Sequence, residues 1–412
     1  MKENSPLVSV FLPYYNDQKT IYNCVKSILR QSYTNFELIL FNHCSTDKSE
    51  EIVRKFKDDR IIYKNGSRNL GAGSGMNLQQ NLIYMHGKYI KLFCADDMLE
   101  KTYLEEMVHF MECNKQFDFA FSEMNYIDIK GSKIETDWGK QHKYFSVKNN
   151  SEQTLLIFFK GYSQLPFPSS IIKRSALDKI SLNKTYIMLF DVSLWVELLI
   201  EGYKVGYLNR HLVRYRCSSS QLSSIHNQEL AARRGYFELS NQLEQFYAIR
   251  SLTFIKKYCC TQISKKLTNK DEVFFPLAIA LFYLNQGDSN FFADTHDLRR
   301  ISGYNKIVSF MENDHLRKAV ESKFGFYIDT FRDCYSRTPF KHINETKDIN
   351  ISHTSIIKNI FIRKKILNKS TKSLAILEIC YIIIYKIFRI PYKIYNALPQ
   401  KNKNGKNKKF TV

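Results

Sequence analysis

The chain has 412 residues, of which 44% are hydrophobic and 14% aromatic, and it carries a formal net charge of +21. This composition excludes a disordered polymer, because so many apolar residues can build sizeable cores, and the chain is too long for one ordinary core. Nine cysteines include no Cys-x-x-Cys pair, so neither a disulfide framework nor a zinc site is expected, and a reducing compartment is favoured.

The first hundred residues alternate strand-like and helix-like segments. They begin without the apolar run of a signal peptide, so we expect a cytoplasmic protein. Apolar runs typical of buried strands occupy residues 7–12, 36–41, 60–63 and 88–93. Pro13 is expected to end the first strand. Helical spacing or helix-capping residues follow the first three strands, at 17–31, 45–56 and 71–86. This alternation predicts parallel strands joined by crossover helices, that is, an open α/β fold.

Two adjacent carboxylates, Asp96 and Asp97, follow the fourth of these strands. In open α/β sheets, ligands bind beyond the carboxyl ends of the strands. Each carboxylate raises the cost of ionising the other, and a bound divalent cation offsets this repulsion. The pair therefore predicts a site for Mg²⁺ or Mn²⁺ that also holds phosphate oxygens. For such a pair taken alone, a solvated loop or a helix cap is the alternative.

Beyond residue 150 the pattern changes twice. Residues 151–220 contain the strand-like SIIKR, the helix DVSLWVELLIEG closed by Gly202, and the strand-like YKVGYL and HLVRYR. From about residue 225 the spacing is helical over long stretches, and from about 355 apolar residues alternate with Lys and Arg. We therefore divide the chain into an α/β domain, a helical domain and a basic tail, over residues 1–222, 223–350 and 351–412.

Six segments in this order resemble the catalytic domain of the inverting glycosyltransferases of family 2. They are VSVFLPYYN, QSYTNFELILFNHCSTDKS, NLGAGSGMN, GKYIKLFCADD, PSSIIKRSALDKI and LFDVSLWVELLIEGYKVGYLNRHLVRYR. The resemblance covers about residues 6–222. It implies a GT-A fold with a Rossmann-like mixed sheet, a nucleotide-sugar donor, a divalent metal ion and an inverting sugar transfer.

The resemblance places the nucleotide base at the ends of the first two strands. The turn of Pro13, Tyr14, Tyr15 and Asn16 would lie against the base. Asn42 stands where the family has a carboxylate that binds the base, and an amide still offers a donor and an acceptor. The alternative for the turn is a simple strand terminator.

The resemblance also implies residues for the phosphates and the metal. Gly71 opens a turn whose missing side chains would let the backbone approach the donor. Asp96 would touch both the metal and the donor, with Asp97 beside it, and Cys94 stands where the family often has a further Asp. Arg216 would assist the diphosphate; the alternative is an arginine stem that covers apolar surface.

The family places its catalytic base just before a helix that contains Trp. The matching residue is Asp191, ahead of Trp195, and it would remove the proton of the acceptor hydroxyl. Phe190 stands where the family has a second acid. Asp191 would also serve as the helix N-cap, which is the competing interpretation. Glu197 is the second candidate for the base, although it falls in the body of the helix.

The basic tail carries most of the excess charge. Residues 351–412 contain twelve Lys and two Arg against one Glu, a net charge of +13 out of +21. Only one of the thirteen residues between Lys372 and Lys386 is charged, and the segment is shorter than the ~18 apolar residues of a transmembrane helix. It fits a monotopic anchor on an anionic membrane surface. The alternative is a helix packed on the protein itself or on a second copy.

The favoured function is therefore a bacterial enzyme at the inner face of the cell membrane. It would add a sugar from a nucleotide donor, UDP-linked by default, to a lipid-linked or surface glycan such as lipopolysaccharide, O-antigen or capsule. A second hypothesis is a nucleotide-sugar-binding protein without catalysis, suggested by the departures at Asn42, Met76, Cys94 and Phe190. A nucleic-acid partner is disfavoured, because the charges of the tail alternate with Ile and Leu rather than with exposed stacking groups. A homo-oligomer stays open.

Overall fold

The computed structural model describes residues 5–69, 81–135, 150–161, 165–181, 186, 189–218, 228–285 and 293–327, without the side chains of 228–236 and 293–297. The chain divides into two compact units, Met1–Thr338 and Pro339–Val412. All described residues belong to the first unit. The basic tail and Gly71 lie outside the described residues, so what was expected of them stays a prediction, as does the domain boundary at residue 222.

Among the described residues, eight strands form one mixed sheet. They are β1 Val8–Tyr14, β2 Phe36–Asn42, β3 Ile61–Asn65, β4 Tyr89–Leu92, β5 Met98–Leu99, β6 Phe119–Ile127, β7 Ser170–Lys173 and β8 Val205–Arg216. Their order across the sheet is β3-β2-β1-β4-β7-β6-β8-β5. Strands β1 to β4 are parallel, β6 and β8 run in the same direction, and β5 and β7 run against them. The carboxyl ends of six strands therefore meet along one edge.

The sheet confirms the predicted α/β fold class, and the four apolar runs form β1 to β4. The predicted end of β1 at Pro13 is wrong, because the strand continues through Pro13 to Tyr14. Successive residues of β1 direct their backbone groups to alternate neighbours, so Tyr14 bonds toward β2 and Pro13 faces β4. Strand β4 has already ended at Leu92, opposite Phe11. A proline without an N–H is tolerated there because no partner strand needs it. Residues 205–216, expected as two segments, form the single strand β8 with a bulge in its pairing to β6.

Helices cover the sheet and continue beyond it. The described α-helices of four or more residues are α1 Ile21–Leu29, α2 Ser49–Val53, α3 Tyr103–Cys113, α4 Ser151–Phe159, α5 Arg174–Leu177, α6 Phe190–Ile200, α7 Gln228–Gln245, α8 Gln262–Lys266, α9 Phe275–Leu284, α10 Ala293–Glu312 and α11 Asp314–Phe324. Single turns of other helical geometry lie at Leu82–Tyr84, Phe167–Ser169, Phe246–Ala248, Ile255–Cys259 and Asn269–Phe274.

One helix end matches the sequence prediction and another does not. Helix α6 stops before Gly202, which adopts a φ of +86°, as predicted from its position. The long helical pattern expected from about residue 225 instead breaks after Gln245. The chain turns there, and the Ser251 hydroxyl accepts a hydrogen bond from the Phe254 N–H at 3.2 Å to begin the next turn.

The two faces of the sheet bury separate cores. One face packs against α1 and α3 around Val10 and Leu12. The other packs against α4 and α6, where the fully buried Trp195 stacks on Phe119 with ring centroids 5.8 Å apart. This second core extends into helices α7 to α11 as one buried cluster, and the Phe159 ring of α4 contacts the rings of Phe246 and Phe282 there. In the described part of the chain, we find no helix that combines the length and the apolar character needed to cross a membrane.

Candidate active site

The carboxyl edge of the sheet gathers polar residues from distant parts of the chain. The turn after β1 carries Asp17, the loop after β4 carries Asp96 and Asp97, and Arg216 ends β8. Only residues 201–204 connect the end of α6 to the start of β8, so α6 runs against β8 and its N-terminus with Asp191 points to the same edge. Residues 94–97, which we call the acidic loop, lie at the centre of this arrangement.

Asp97 is the most deeply buried carboxylate of the acidic loop, with 1% of its surface exposed. Its Oδ1 accepts a hydrogen bond from the Arg216 N–H at 2.8 Å, while its Oδ2 finds no hydrogen-bond partner among the described residues. Burial raises the pKa of Asp97 well above its usual range, and the charge of Asp96 adds to this effect. A buried carboxylate oxygen without a partner is costly unless a ligand completes it.

The acidic loop has the donor set of a cation site. One ligand atom from each of Cys94, Asp96 and Asp97 lies within 4.8 Å of the others. Two carboxylates supply the hard oxygen ligands that Mg²⁺ and Mn²⁺ prefer, and the thiol adds a softer ligand. Asp97, whose Oδ2 has no hydrogen-bond partner among the described residues, is one of the three. The residues present therefore fit a divalent cation.

Arg216 holds the acidic loop in place. It is 2% exposed, and its Nε donates to the Asp96 carbonyl at 2.7 Å. Its Nη1 donates to the carbonyls of Asp128 and Ile129, each at 2.8 Å. The guanidinium thus joins the end of β8 to the acidic loop and to the turn after β6. Its expected contact with the diphosphate stays a prediction beside this observed role.

Asp17 is a site residue that the sequence pattern did not single out. It directly follows the predicted turn after β1 and accepts a hydrogen bond from the Tyr15 N–H at 2.9 Å. Burial raises the pKa of Asp17 to about 6, and the charge of Asp96 contributes to the increase. Asp17 therefore lies within electrostatic range of Asp96 in the acidic loop. The sequence did offer one signal for Asp17, because it follows the predicted turn directly and so lies at the carboxyl end of a strand.

The two turns predicted to hold the nucleotide base are joined to each other. The Asn16 Oδ1 accepts a hydrogen bond from the Thr46 N–H at 2.8 Å, and the Asn16 N–H donates to the Ser45 Oγ at 3.2 Å. Asn42 is buried: its Oδ1 accepts from the Ser45 N–H at 2.9 Å, and its Nδ2 donates to Glu50 at 3.0 Å. One amide hydrogen and one oxygen lone pair remain for a base at most.

The two tyrosines after Pro13 point in different directions. Tyr14 is 3% exposed and belongs to the core under the sheet, where burial raises the pKa of its hydroxyl above the usual range. Tyr15 is 44% exposed at the carboxyl edge. Of the two, Tyr15 is therefore the ring that a ligand at this edge can reach.

Asp191 lies in the first turn of α6, but it is not the N-cap. That position belongs to Leu189, and the Asp191 Oδ1 accepts a hydrogen bond from the N–H of the next residue, Val192, at 2.8 Å. Burial raises the pKa of Asp191 to about 6. The pKa of the Cys94 thiol is also raised mainly by burial, with smaller contributions from neighbouring carboxylates that include Asp191. The charge of Asp191 therefore acts on the acidic loop from the first turn of α6.

Glu197, the second candidate for the base, has a structural partner instead. Its Oε1 accepts a hydrogen bond from the Ser181 N–H at 2.8 Å, in the body of α6. The arrangement leaves Asp191 as the carboxylate of α6 that is placed at the carboxyl edge.

Comparisons with known proteins identify the family of the chain. A family model described as glycosyl transferase family 2 matches residues 9–180. A UDP-Glc:alpha-D-GlcNAc-diphosphoundecaprenol beta-1,3-glucosyltransferase of Escherichia coli is 30% identical over 54% of this chain and 82% of its own length. A putative teichuronic acid biosynthesis glycosyltransferase of Bacillus subtilis is 24% identical over 64% and 98%. Among solved structures, S. aureus TarS 1-349 in complex with UDP-GlcNAc aligns with a TM-score of 0.48 and 14% identity over 73% of this chain and 88% of that one.

Proposed function

The chain belongs to glycosyl transferase family 2, and from this premise we propose an inverting sugar transfer from a nucleotide-diphosphate donor to a hydroxyl of a lipid-linked or cell-surface glycan. The family makes the chain a glycosyltransferase; donor, acceptor and stereochemistry are the proposed part. One observation carries the proposal. A carboxylate of α6 with a raised pKa, Asp191, shares the carboxyl edge of the sheet with the acidic loop.

The residues divide the reaction between them. Asp96 and Asp97 would hold Mg²⁺ or Mn²⁺, whose charge offsets that of the departing diphosphate. Asp191 accepts the proton of the acceptor hydroxyl on a carboxylate oxygen. The acceptor oxygen then forms its bond to the anomeric carbon, while the bond from that carbon to the diphosphate oxygen breaks and the nucleoside diphosphate leaves. A base with a pKa of about 6 is ionised at neutral pH and binds a proton more strongly than an ordinary carboxylate.

The donor would lie along the turns after β1 and β2. Tyr15 offers an exposed ring for the base, and Asn16 and Asn42 fix the turns that flank it. A UDP-sugar is the donor we expect, and the name of the E. coli relative supports it.

The acceptor would be found at a membrane. The E. coli relative is named for an acceptor on diphosphoundecaprenol, and the B. subtilis relative for teichuronic acid biosynthesis. The tail of net charge +13 would bring this chain to an anionic leaflet. We therefore propose a peripheral enzyme on the inner face of the cell membrane.

Donor hydrolysis and donor binding, measured together, test the proposal. Purified protein is incubated with Mn²⁺ or Mg²⁺ and a panel of nucleotide sugars, and wild type is compared with Asp96→Ala and Asp191→Asn. Asp178→Asn is the matched control, because this exposed aspartate pairs with Arg174 at 2.7 Å on the surface. Slow release of nucleoside diphosphate from one donor, lost in the first two variants and kept in the control, supports the transfer. Metal-dependent binding without release, even with acceptor glycans, would instead identify a silent nucleotide-sugar-binding protein.

A further inference from the structure

Helix α7, which follows the catalytic sheet in the chain, reaches back to the start of α6 with two side chains. The Glu238 Oε2 accepts a hydrogen bond from the Leu189 N–H at 2.6 Å, and Glu238 is 5% exposed. Two turns further along α7, the Gln245 Nε2 donates to the Ser193 Oγ at 2.8 Å. The first contact carries a charge and the second does not.

Glu238 binds the backbone at the very start of α6. Leu189 is the N-cap residue, and the N–H groups at a helix start have no partner within the helix. A carboxylate satisfies such a group and complements the positive end of the helix dipole. Leu189 lies two residues before Asp191, so the bond fixes the backbone that carries the candidate base.

The charge of Glu238 also reaches the Asp191 side chain. The pKa of Asp191 is raised mainly by burial, and the charge of Glu238 raises it further. The other described titratable groups around the two carboxyls are Cys94, from the acidic loop, and Tyr186, which precedes α6 and whose pKa Glu238 also raises. Two carboxyl groups from different segments thus lie at the N-terminus of α6: Glu238 binds the N–H of its N-cap residue, and Asp191 lies in its first turn.

We propose that Glu238 is a positioning residue of the active site, which fixes the start of α6 and places a second negative charge next to Asp191. The inference rests on the proposed function, because it takes Asp191 as the base. Glu238 does not touch the substrate in this assignment. It acts through Asp191, whose carboxylate binds the acceptor proton more strongly when a second negative charge lies nearby.

The charge and the hydrogen bond of Glu238 can be separated. Glu238→Gln keeps an oxygen that accepts from the Leu189 N–H but removes the negative charge. Gln245→Leu breaks the other contact between α7 and α6 without changing any charge, so it serves as the matched control. A purely structural role of Glu238 predicts that Glu238→Gln behaves like wild type, and a role through its charge predicts a changed titration of Asp191.

The experiment measures kcat/KM for sugar transfer against pH, between about pH 5 and pH 8, together with an NMR titration of the Asp191 carboxyl carbon. The carbon signal is assigned by its absence in Asp191→Asn. Removing the nearby charge lowers the pKa of Asp191, so we expect Glu238→Gln to move both the acid limb and the NMR midpoint to lower pH by about half a unit or more. Gln245→Leu should leave both in place.

The outcomes separate this inference from the proposed function. An unchanged Asp191 midpoint in Glu238→Gln, with the variant folded by circular dichroism, overturns the inference even when the wild type transfers sugar. A shifted midpoint supports the placement of the charge even in a protein that turns over no donor. Full activity of Asp191→Asn would refute the role of Asp191 as the base, and with it the catalytic part of the inference.

Discussion

Cys94 places a thiol next to the two carboxylates of the acidic loop, and this choice of side chain bears on which cation the loop holds. Burial raises the pKa of the thiol, so it keeps its proton near neutral pH unless a soft cation displaces it. Hard cations such as Mg²⁺ then rely on Asp96 and Asp97. The acidic loop is expected to bind a thiophilic cation with all three residues and Mg²⁺ with two.

Cys94→Asp should therefore change the metal preference in a defined direction. A third carboxylate adds an oxygen ligand and a negative charge, so we expect Mg²⁺ affinity to rise by about tenfold while Cd²⁺ loses its sulfur ligand. Calorimetric titration of both ions into wild type and variant measures this, and the ultraviolet band of a Cd²⁺–thiolate bond reports on the wild type. Cys113→Asp, at an exposed cysteine of α3, controls for the added charge. Equal Mg²⁺ affinity in Cys94→Asp and wild type would place Cys94 outside the cation site.

Asp191 is costly to keep ionised in the folded protein. Its pKa rises from an ordinary 3.8 to about 6, mainly through burial. A group whose pKa is higher in the folded protein than in the unfolded chain adds to the free energy of unfolding. This contribution is complete below about pH 4 and is lost as the pH rises through about 6. We expect Asp191→Asn, which keeps the shape but stays neutral, to raise the free energy of unfolding at about pH 7.5 by up to about 3 kcal/mol.

Denaturant unfolding at about pH 7.5 and about pH 4 checks this prediction, because the difference between Asp191→Asn and wild type should disappear at the lower pH. Asp178→Asn is again the control, since its exposed carboxylate gains nothing from neutralisation. A variant that is more stable but inactive would mark Asp191 as a residue retained for function. A variant less stable than wild type at both pH values would show that its charge supports the fold.

At the scale of elements, the end of β8 and the acidic loop form one unit through Arg216. Arg216→Lys should break it, because a single ammonium cannot reproduce the bonds to the carbonyls of Asp96, Asp128 and Ile129. We expect a loss of about 2–4 kcal/mol in the free energy of unfolding and weaker metal binding by about tenfold or more. Chemical denaturation and metal titration measure the two effects.

Arg214→Lys, on the same strand, is the matched control for this variant. Arg214 pairs with Glu100 at 2.6 Å and is 41% exposed, so its replacement should cost less than about 1 kcal/mol. Equal losses for the two variants would mean that Arg216 contributes as an ordinary strand residue. A loss of stability without weaker metal binding would show that the acidic loop keeps its shape without Arg216.

The sheet was accessible to sequence reasoning because its parallel strands are continuous apolar runs, and the acidic loop follows from its position after β4. The contacts that complete the site were not. Glu238 is more than 130 residues from Asp97, and nothing in its local pattern distinguishes it from a solvated helix residue. Lys91 interrupts the apolar run of β4 yet is fully buried, and its Nζ donates hydrogen bonds to the carbonyls of Pro168 and Ser170. Such partners are brought together by tertiary packing alone.

At the scale of the whole molecule, the helices after residue 228 are part of the enzyme's core. The centroid of the Phe159 ring, in α4, lies 5.3 Å from that of Phe246 and 5.0 Å from that of Phe282. Phe159 and Phe246 belong to one buried cluster with residues of the sheet, and Phe282 packs against it. Ending the chain near residue 222 would expose this face to water, whereas ending it after Thr338 keeps the first compact unit whole. Thr338 is therefore the position at which to separate the tail from the enzyme.

A chain ended after Thr338 tests the function of the basic tail directly. The +13 charge of residues 351–412 should attract an anionic leaflet, with about 1 kcal/mol for each Lys or Arg near the surface. We expect the full chain to sediment with vesicles of phosphatidylglycerol, to leave them as salt rises, and to ignore vesicles of phosphatidylcholine. The shortened chain should bind neither kind and should release nucleoside diphosphate from the donor as fast as the full chain.

Two results would contradict the membrane role. A shortened chain that still binds anionic vesicles would place the contact in the first compact unit. A shortened chain that aggregates or unfolds at lower temperature would mean that the tail covers apolar surface of the enzyme or of a second copy. Removing a segment lowers the stability of a protein only when that segment packs against it. Equal thermal stability with lost vesicle binding leaves the anchor as the remaining explanation, because the charges would then act on the membrane and not on the protein.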